Sequence, residues 1–240
     1  MMALARVASL VATAAVALAG CTDAGGQPVT FAVAGQGTAV APFAVGAWSI
    51  DLSVVQVGFG PAYFCASPAA DGDLCAVAVA EFRTAVTLDA LAPAPAALGT
   101  ADGVTGTIAG AMYDWGWSWP LTSRQPIVAA ASPMGHSARI IGTASDGVAS
   151  FSFTALVDAL PPDAGAPTVR AQRTSHELVD DSSELRVVLN PQPWFASVEF
   201  ATLAELAAQN GGAVDIAPGL TSYNALVQGM TSIAPAQLIW

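Results

Sequence analysis

Trp48-Ser49-Ile50-Asp51-Leu52-Ser53-Val54 alternates apolar and polar side chains without exception. Because successive side chains of a β-strand point to opposite faces, this period of two predicts a strand with one buried and one exposed face. The apolar positions then shift by one residue, to Val55 and Val57, next to Gly58. A shift of this kind predicts a β-bulge within the strand.

The same alternation recurs along the chain, starting at Val29, and turn-forming residues such as Asp146-Gly147 interrupt it. The further strand candidates are 82–89, 104–119, 137–144, 149–157, 168–178 and 185–189. Helical patterns occur only late, over Ala201–Gln209 and Thr221–Gly229, and the apolar residues 237–240 predict a docked final strand. About eight strands and two short C-terminal helices predict a mainly-β fold, either an antiparallel β-sandwich or a partly closed barrel.

Charge and composition exclude several classes of protein. The chain has 240 residues, a formal net charge of −11 and no lysine. A negative field of this size repels nucleic acids and anionic lipid surfaces, so neither is expected as a partner. The missing lysine excludes P-loop proteins, Schiff-base enzymes and Ser-x-x-Lys hydrolases, because each depends on a lysine side chain.

The N-terminus has the three parts of a secretory signal: a charge at Arg6, an apolar run from Val7 to Ala19 and small residues at its end. A helix of this run would be about 20 Å long, whereas the hydrocarbon core of a bilayer is about 30 Å thick. The run is therefore expected to be a cleaved signal peptide and not a transmembrane helix.

Leu18-Ala19-Gly20-Cys21 closes this run. The four residues resemble the box of bacterial lipoproteins and have its preferred residue at each position. The resemblance implies that Cys21 is thioether-linked to diacylglycerol, becomes the new N-terminus and is N-acylated, with palmitate as the expected chain. Two or more chains anchor a protein stably. Thr22 stands where an aspartate would imply retention at the inner membrane, so the resemblance implies the outer membrane. The alternative is an ordinary secretory signal with a coincidental cysteine.

These features divide the chain into three segments. A signal peptide is expected at 1–20, a tether at 21–28 and a single β-rich domain at 29–240, in which 190–240 could form a C-terminal subdomain. The tether would span about 15 Å as a random coil, so the domain is expected to lie close to its membrane.

Cys65 and Cys75 are the two cysteines besides Cys21. They bracket a turn-forming segment between two strand-like runs, and cysteines of exported proteins are usually paired. A disulfide between them is predicted. Closing a ring of this size contributes about 2.8 kcal/mol in the chain-entropy model.

Tyr113, Trp115, Trp117 and Trp119 alternate with Asp114, Gly116 and Ser118. On one continuous strand the four rings would share a face. Such a row is expected to pack in the core. The alternatives are a platform on which a sugar or peptide stacks, and a strand that bends at Gly116.

His136 and His176 are the only histidines, so a metal site would have to recruit both, or add Met112, Met134, Asp180 or Asp181. No His-x-His or Glu-x-x-His spacing prepares such a site, and they remain weak candidates. Gly135-His136-Ser137 begins like a nucleophile elbow, but Arg139 replaces its last glycine, which favours a turn at the start of a strand. The acidic turns 71–73 and 180–181 lack the alternating oxygen ligands of a calcium loop and are expected to be solvated.

The sequence thus predicts a lipid-anchored envelope protein that acts as a non-enzymatic binding or structural module. No cofactor is expected, and the sequence does not identify the protein or glycan partner. The first alternative is an exported metal-binding lipoprotein. The mainly-β lipoprotein layout faintly resembles that of exported copper-binding lipoproteins, but no motif matches closely enough to assign a ligand residue by that resemblance. The second alternative is a hydrolase with Ser137 as its nucleophile.

Overall fold

The computed structural model describes residues 26–68, Cys75 and residues 77–240. The predicted signal peptide, the predicted lipoprotein box with Cys21, most of the predicted tether and the predicted acidic turn at 71–73 lie outside the described residues. The strands are β1 Pro28–Gln36, β2 Phe43–Val45, β3 Trp48–Phe59, β4 Ala62–Cys65, β5 Ala78–Phe82, β6 Val86–Asp89, β7 Ala96–Val104, β8 Gly106–Tyr113, β9 Trp117–Ser118, β10 Ile127–Val128, β11 Ala138–Ser145, β12 Ser150–Val157, β13 Val169–Leu178, β14 Glu184–Val188, β15 Ala213–Ile216 and β16 Gln237–Ile239. The helices are α1 Phe200–Gln209 and α2 Thr221–Gln228.

The strands form two large sheets and one small hairpin. The larger sheet has the order β13-β8-β4-β5-β7-β1-β14-β16, and all of its pairs are antiparallel except β1 with β14. The second sheet has the order β15-β12-β11-β3-β2, with β6 also paired to β3. Strands β9 and β10 form the hairpin. This mainly-β architecture with two short C-terminal helices confirms the predicted fold class.

Strand β3 contains the predicted bulge. Val54 pairs with Ile141 and Leu52 pairs with Gly142, so Ser53 is the extra residue between them. The Ser53 hydroxyl donates to the Ile141 carbonyl oxygen at 3.2 Å. The bulge moves the following residues by one position, and Val55 and Val57 therefore remain buried.

The larger sheet curls until its two edge strands meet. Trp240, after β16, stacks on His176 of β13, with ring centroids 4.4 Å apart and planes 4° apart. Its Nε1–H donates to the Thr174 hydroxyl at 3.0 Å. Side chains, rather than backbone hydrogen bonds, therefore join this edge of the sheet to the opposite one, as in a partly closed barrel.

The core lies between the sheets, and the C-terminal segment contributes to it. Trp194 and Phe195 are fully buried in a short 3₁₀ helix before α1. The Trp194 ring packs edge-on against Trp115, and the Phe195 ring packs against Phe43 and Phe153. Residues of the 190–240 segment thus belong to the same hydrophobic cluster as the strands.

A disulfide joins Cys65 to Cys75, as predicted, with Cα atoms 5.4 Å apart. It connects the end of β4 to the residues shortly before β5. Within the described part of the chain, no helix is both long enough and apolar enough to cross a membrane.

Candidate functional site

A cavity of about 230 Å³ opens between the β9–β10 hairpin and the loop that precedes β13. Three segments contribute to its lining: Pro61 and Tyr63 at the start of β4, Asp114 with residues 118–121 around β9, and residues 165–167. Polar and aromatic groups meet apolar ones there, since Asp114, Tyr63 and Trp119 lie among prolines and Leu121. Concave sites with an apolar lining and few polar groups are typical of ligand binding.

Local contacts fix the two loops that form the walls. The Gly165 N–H donates to the Trp119 carbonyl oxygen at 2.6 Å. Gly165 has a φ of +81°, a backbone conformation that favours glycine, and a Cβ at this position would come within 2.6 Å of the Leu121 side chain. The Trp119 Nε1–H donates to the Ser123 carbonyl oxygen at 3.1 Å, which holds the indole against its own loop.

Asp114 is the buried carboxylate of the cavity, with 4% of the residue exposed. Its Oδ1 accepts hydrogen bonds from the Thr168 backbone N–H at 2.8 Å and from the Thr168 hydroxyl at 3.0 Å. Its backbone is also fixed, because its N–H donates to the Pro61 carbonyl oxygen and its own carbonyl oxygen accepts from Gly60. Among the described residues, no hydrogen-bond partner reaches Oδ2.

Burial raises the pKa of Asp114 from 3.8 to about 6, and the two hydrogen bonds from Thr168 oppose this shift. Burial also raises the pKa of Tyr63, and the negative charges of Asp114 and Glu81 raise it further. The described residues that line the cavity include no arginine and no histidine. Asp114 is therefore the charged group inside the cavity at neutral pH, and the cation of Arg170 lies behind the wall, where its Nε–H donates to the Pro167 carbonyl oxygen at 3.1 Å.

The aromatic row does not lie on one face. Tyr113 and Trp115 are fully buried, whereas Trp117 and Trp119 are half-buried. The chain turns at Gly116, where φ is +71° and a Cβ would collide with the Ser132 hydroxyl at 2.3 Å. The row is thus divided between the core and the cavity, and of its four rings only that of Trp119 lines the cavity.

The two histidines have separate surroundings. His136 lies before β11, and its Nδ1 is 2.9 Å from Asp158 Oδ1. His176 lies on β13 in the other sheet, and its Nε2 is 3.0 Å from the Ser183 hydroxyl. The described residues contain no cluster of three or more His, Cys, Asp or Glu side chains that could hold a metal ion.

Ser137 is fully buried at the start of β11. Its hydroxyl oxygen accepts from the Ala159 N–H at 3.0 Å and its hydroxyl donates to the Ala159 carbonyl oxygen at 3.4 Å. These bonds fasten the start of β11 to the end of β12. The acidic pair at 180–181 also has structural contacts, since Asp181 Oδ1 accepts from the Thr30 N–H at 2.7 Å.

No protein-family model, curated protein or solved structure matches this chain.

Sequence reasoning placed Asp114 on the strand face opposite the aromatic rings and gave it no role. Tyr63 and Thr168 were not singled out either. The sequence offered one signal, which is the single acidic residue inside the aromatic run 113–119. A carboxylate within such an apolar run is expected to be buried unless that face of the strand is exposed to water, and a buried carboxylate needs polar partners. Nothing in the sequence brings residues 61–63 and 165–167 to it.

Proposed function

We propose that this protein is a lipid-anchored lipoprotein of the cell envelope whose β-rich domain binds a ligand without transforming it. The cavity around Asp114 is the observation that carries the binding function. It combines a carboxylate held in one orientation by Thr168 with the wall formed by Trp119 and Tyr63. Preorganised polar groups next to aromatic surface favour recognition.

The Ser137 hydroxyl and the His136 ring already have hydrogen-bond partners, which favours binding over catalysis. A hydrolase would need a nucleophile and a base within hydrogen-bond reach of each other. The Ser137 hydroxyl is bonded to the backbone of Ala159, and the His136 ring is bonded to Asp158. Neither residue lines the cavity.

The lipoprotein box at Leu18–Cys21 and the position of β1 support the anchor. Strand β1 begins at Pro28, seven residues after Cys21. The tether between them would extend about 15 Å as a random coil. In the proposed arrangement the domain lies next to the outer membrane and samples ligands there.

Fractionation of bacteria that express the full chain tests the anchor. Wild-type protein should sediment with outer membranes, and its intact mass should show a chain that begins at Cys21 and carries acyl groups. Cys21→Ala should lose the acyl mass and leave the outer-membrane fraction. Thr22→Ala, which changes the neighbouring residue and keeps the box, should behave like wild type. An unmodified wild-type chain in the soluble fraction would refute the anchor.

The indole N–H resonances of the tryptophans test the binding function. In ¹⁵N-tryptophan-labelled protein, titration with a panel of saccharides, carboxylates, phosphates and amines should shift the Trp119 resonance. The buried Trp115 serves as an internal control and should not move. A Trp119 resonance that no member of the panel shifts would argue against a ligand site.

A further inference from the structure

We propose that the cavity receives one primary alkylammonium group, with Asp114 as its counter-ion. The group would come from a lysine side chain of another protein or from a free alkylamine. This inference rests on the proposed binding function and specifies its ligand.

The buried carboxylate supplies the first argument. Asp114 is 4% exposed, and the negative charges of Asp114 and Glu81 both act on Tyr63 at the cavity wall. Arg170 adjoins the wall from behind, where its Nε–H donates to the Pro167 carbonyl oxygen at 3.1 Å and its guanidinium lies 3.9 Å from Asp163 Oδ2. Burial of an ionised carboxylate is unfavourable unless a cation or hydrogen bonds compensate for the lost hydration. Thr168 compensates one oxygen only. Asp114 lines the cavity, so an incoming cation would complete the shell of the second oxygen.

The hydrogen-bond pattern selects among cations. A guanidinium group prefers two parallel bonds to both carboxylate oxygens, but Oδ1 already accepts two bonds from Thr168. A quaternary ammonium has no N–H and would leave Oδ2 without a donor. A primary ammonium is compact and has three donors, so it can bond Oδ2 and still reach a second acceptor such as the Tyr63 phenol oxygen.

The size and the walls of the cavity agree with this group. Its volume of about 230 Å³ is below the roughly 300–1,000 Å³ of pockets for drug-sized ligands. It therefore suits one head group with a short apolar stem. The rings of Trp119 and Tyr63 provide faces for cation–π contact and for the methylene groups of the stem.

The source of the ammonium group follows from composition. The chain contains no lysine, so a second copy cannot provide a lysine side chain. The net charge of −11 attracts cations to the surface and repels anionic ligands. The ligand is thus expected on another molecule.

Titration of the intact lipoprotein in neutral detergent tests the proposal. The probes are n-butylamine, butylguanidine, choline and the neutral analogue n-butanol, measured by the Trp119 indole resonance and by calorimetry at pH 7.5. Butylamine should bind at least tenfold more tightly than each of the other three. Equal affinity for butanol or butylguanidine would overturn the assignment of an ammonium site.

Two substitutions show whether Asp114 is the counter-ion. Asp114→Asn keeps the acceptor for Thr168 but removes the charge, so affinity for butylamine should fall at least tenfold while the protein remains folded. The matched control is Asp51→Asn, which removes the same charge from an exposed position of β3 that does not line the cavity. It should retain wild-type affinity. Unchanged butylamine affinity in Asp114→Asn would overturn the proposal.

The two sources of the ligand are separated by comparing butylamine with Nα-acetyl-lysine methylamide. Equal or tighter binding of the lysine derivative would identify a protein lysine, whereas binding of butylamine alone would identify a free amine. If saccharides or anions shift the Trp119 resonance and amines do not, the ammonium site is wrong and the binding function stands. If nothing in the panel shifts it, both fail.

Discussion

Trp115 is the residue on which the core depends most directly. Its ring is fully buried and packs against Tyr113, Phe59 and Trp194, with centroids 5.1, 6.3 and 6.4 Å away. Trp115→Ala should therefore lower the free energy of unfolding by roughly 3–5 kcal/mol, because it opens a large cavity. Urea denaturation followed by circular dichroism measures this change.

Trp119→Ala is the matched control for Trp115→Ala, since both belong to the same aromatic run. The Trp119 ring is half-buried and lines the cavity, so its loss should cost less than half as much and should weaken ligand binding instead. If both substitutions destabilise the protein equally, the division of the row between core and cavity is wrong.

Asp114 should make stability depend on pH. The folded-state pKa of about 6 lies above the ordinary value of 3.8, so between these pH values the folded protein holds a proton that the unfolded chain has lost. The free energy of unfolding therefore falls as pH rises through this window. The difference between the two pKa values corresponds to about 3 kcal/mol at neutral pH.

Asp114→Asn removes this titration and keeps the acceptor for Thr168. Compared with wild type, the variant should gain stability as pH rises from 4 to 7, by up to about 3 kcal/mol. Urea denaturation of both proteins across this range measures the difference. A constant difference between them would contradict the raised pKa. A gain would also show that the protein retains a destabilising carboxylate in its cavity, as functional sites often do.

The strands that sequence analysis located best are those with strict alternation. The predicted candidates 149–157 and 168–178 correspond to β12 and β13, and the bulge lies in β3 where the apolar period shifts. Strand β7 was missed because Ala96–Val104 consists mainly of alanine, glycine and threonine, which give little hydrophobic contrast. The candidate 104–119 was wrong as one strand, because turns at Thr105 and Gly116 divide it.

The candidate site was less predictable than the fold for a physical reason. Its three lining segments are 40 or more residues apart in sequence, and the sheet pairings that bring them together are long-range. Alternation along one strand reports burial of that strand, but it contains no information about which loops meet above it. Asp114 shows this limit, since the hydrogen bonds to its carboxylate come from Thr168, which is distant in sequence.

Strand β16 closes the larger sheet, and Trp240 makes the closing contacts. Its ring stacks on His176 and packs 5.3 Å from Phe31 and 5.4 Å from Phe64. Trp240→Ala should lower the free energy of unfolding by about 2 kcal/mol, less than a fully buried tryptophan, because the ring is half-buried. Hydrogen exchange should show that the amides of β13 lose protection.

Ile239→Ala is the control for the contacts by which Trp240 joins the two edges of the larger sheet. Ile239 precedes Trp240 in the same segment but is 47% exposed, so its truncation should change stability by less than about 0.5 kcal/mol. Equal protection of β13 in wild type and Trp240→Ala would mean that Trp240 does not hold the two edges together.

At the scale of the molecule, one core predicts one unfolding transition. The segment 190–240 does not have a core of its own, because the fully buried Trp194, Phe195 and Leu226 belong to the cluster that the two sheets share. Calorimetry of the protein in detergent should give a single peak whose calorimetric and van't Hoff enthalpies agree. Phe195→Ala should shift that whole peak to lower temperature and reduce amide protection in β3 and β11 as well as in α1. Its ring contacts residues of β2, which pairs with β3, and of β12, which pairs with β11. Two resolved peaks, or loss of protection in α1 alone, would show instead that 190–240 unfolds as a separate subdomain.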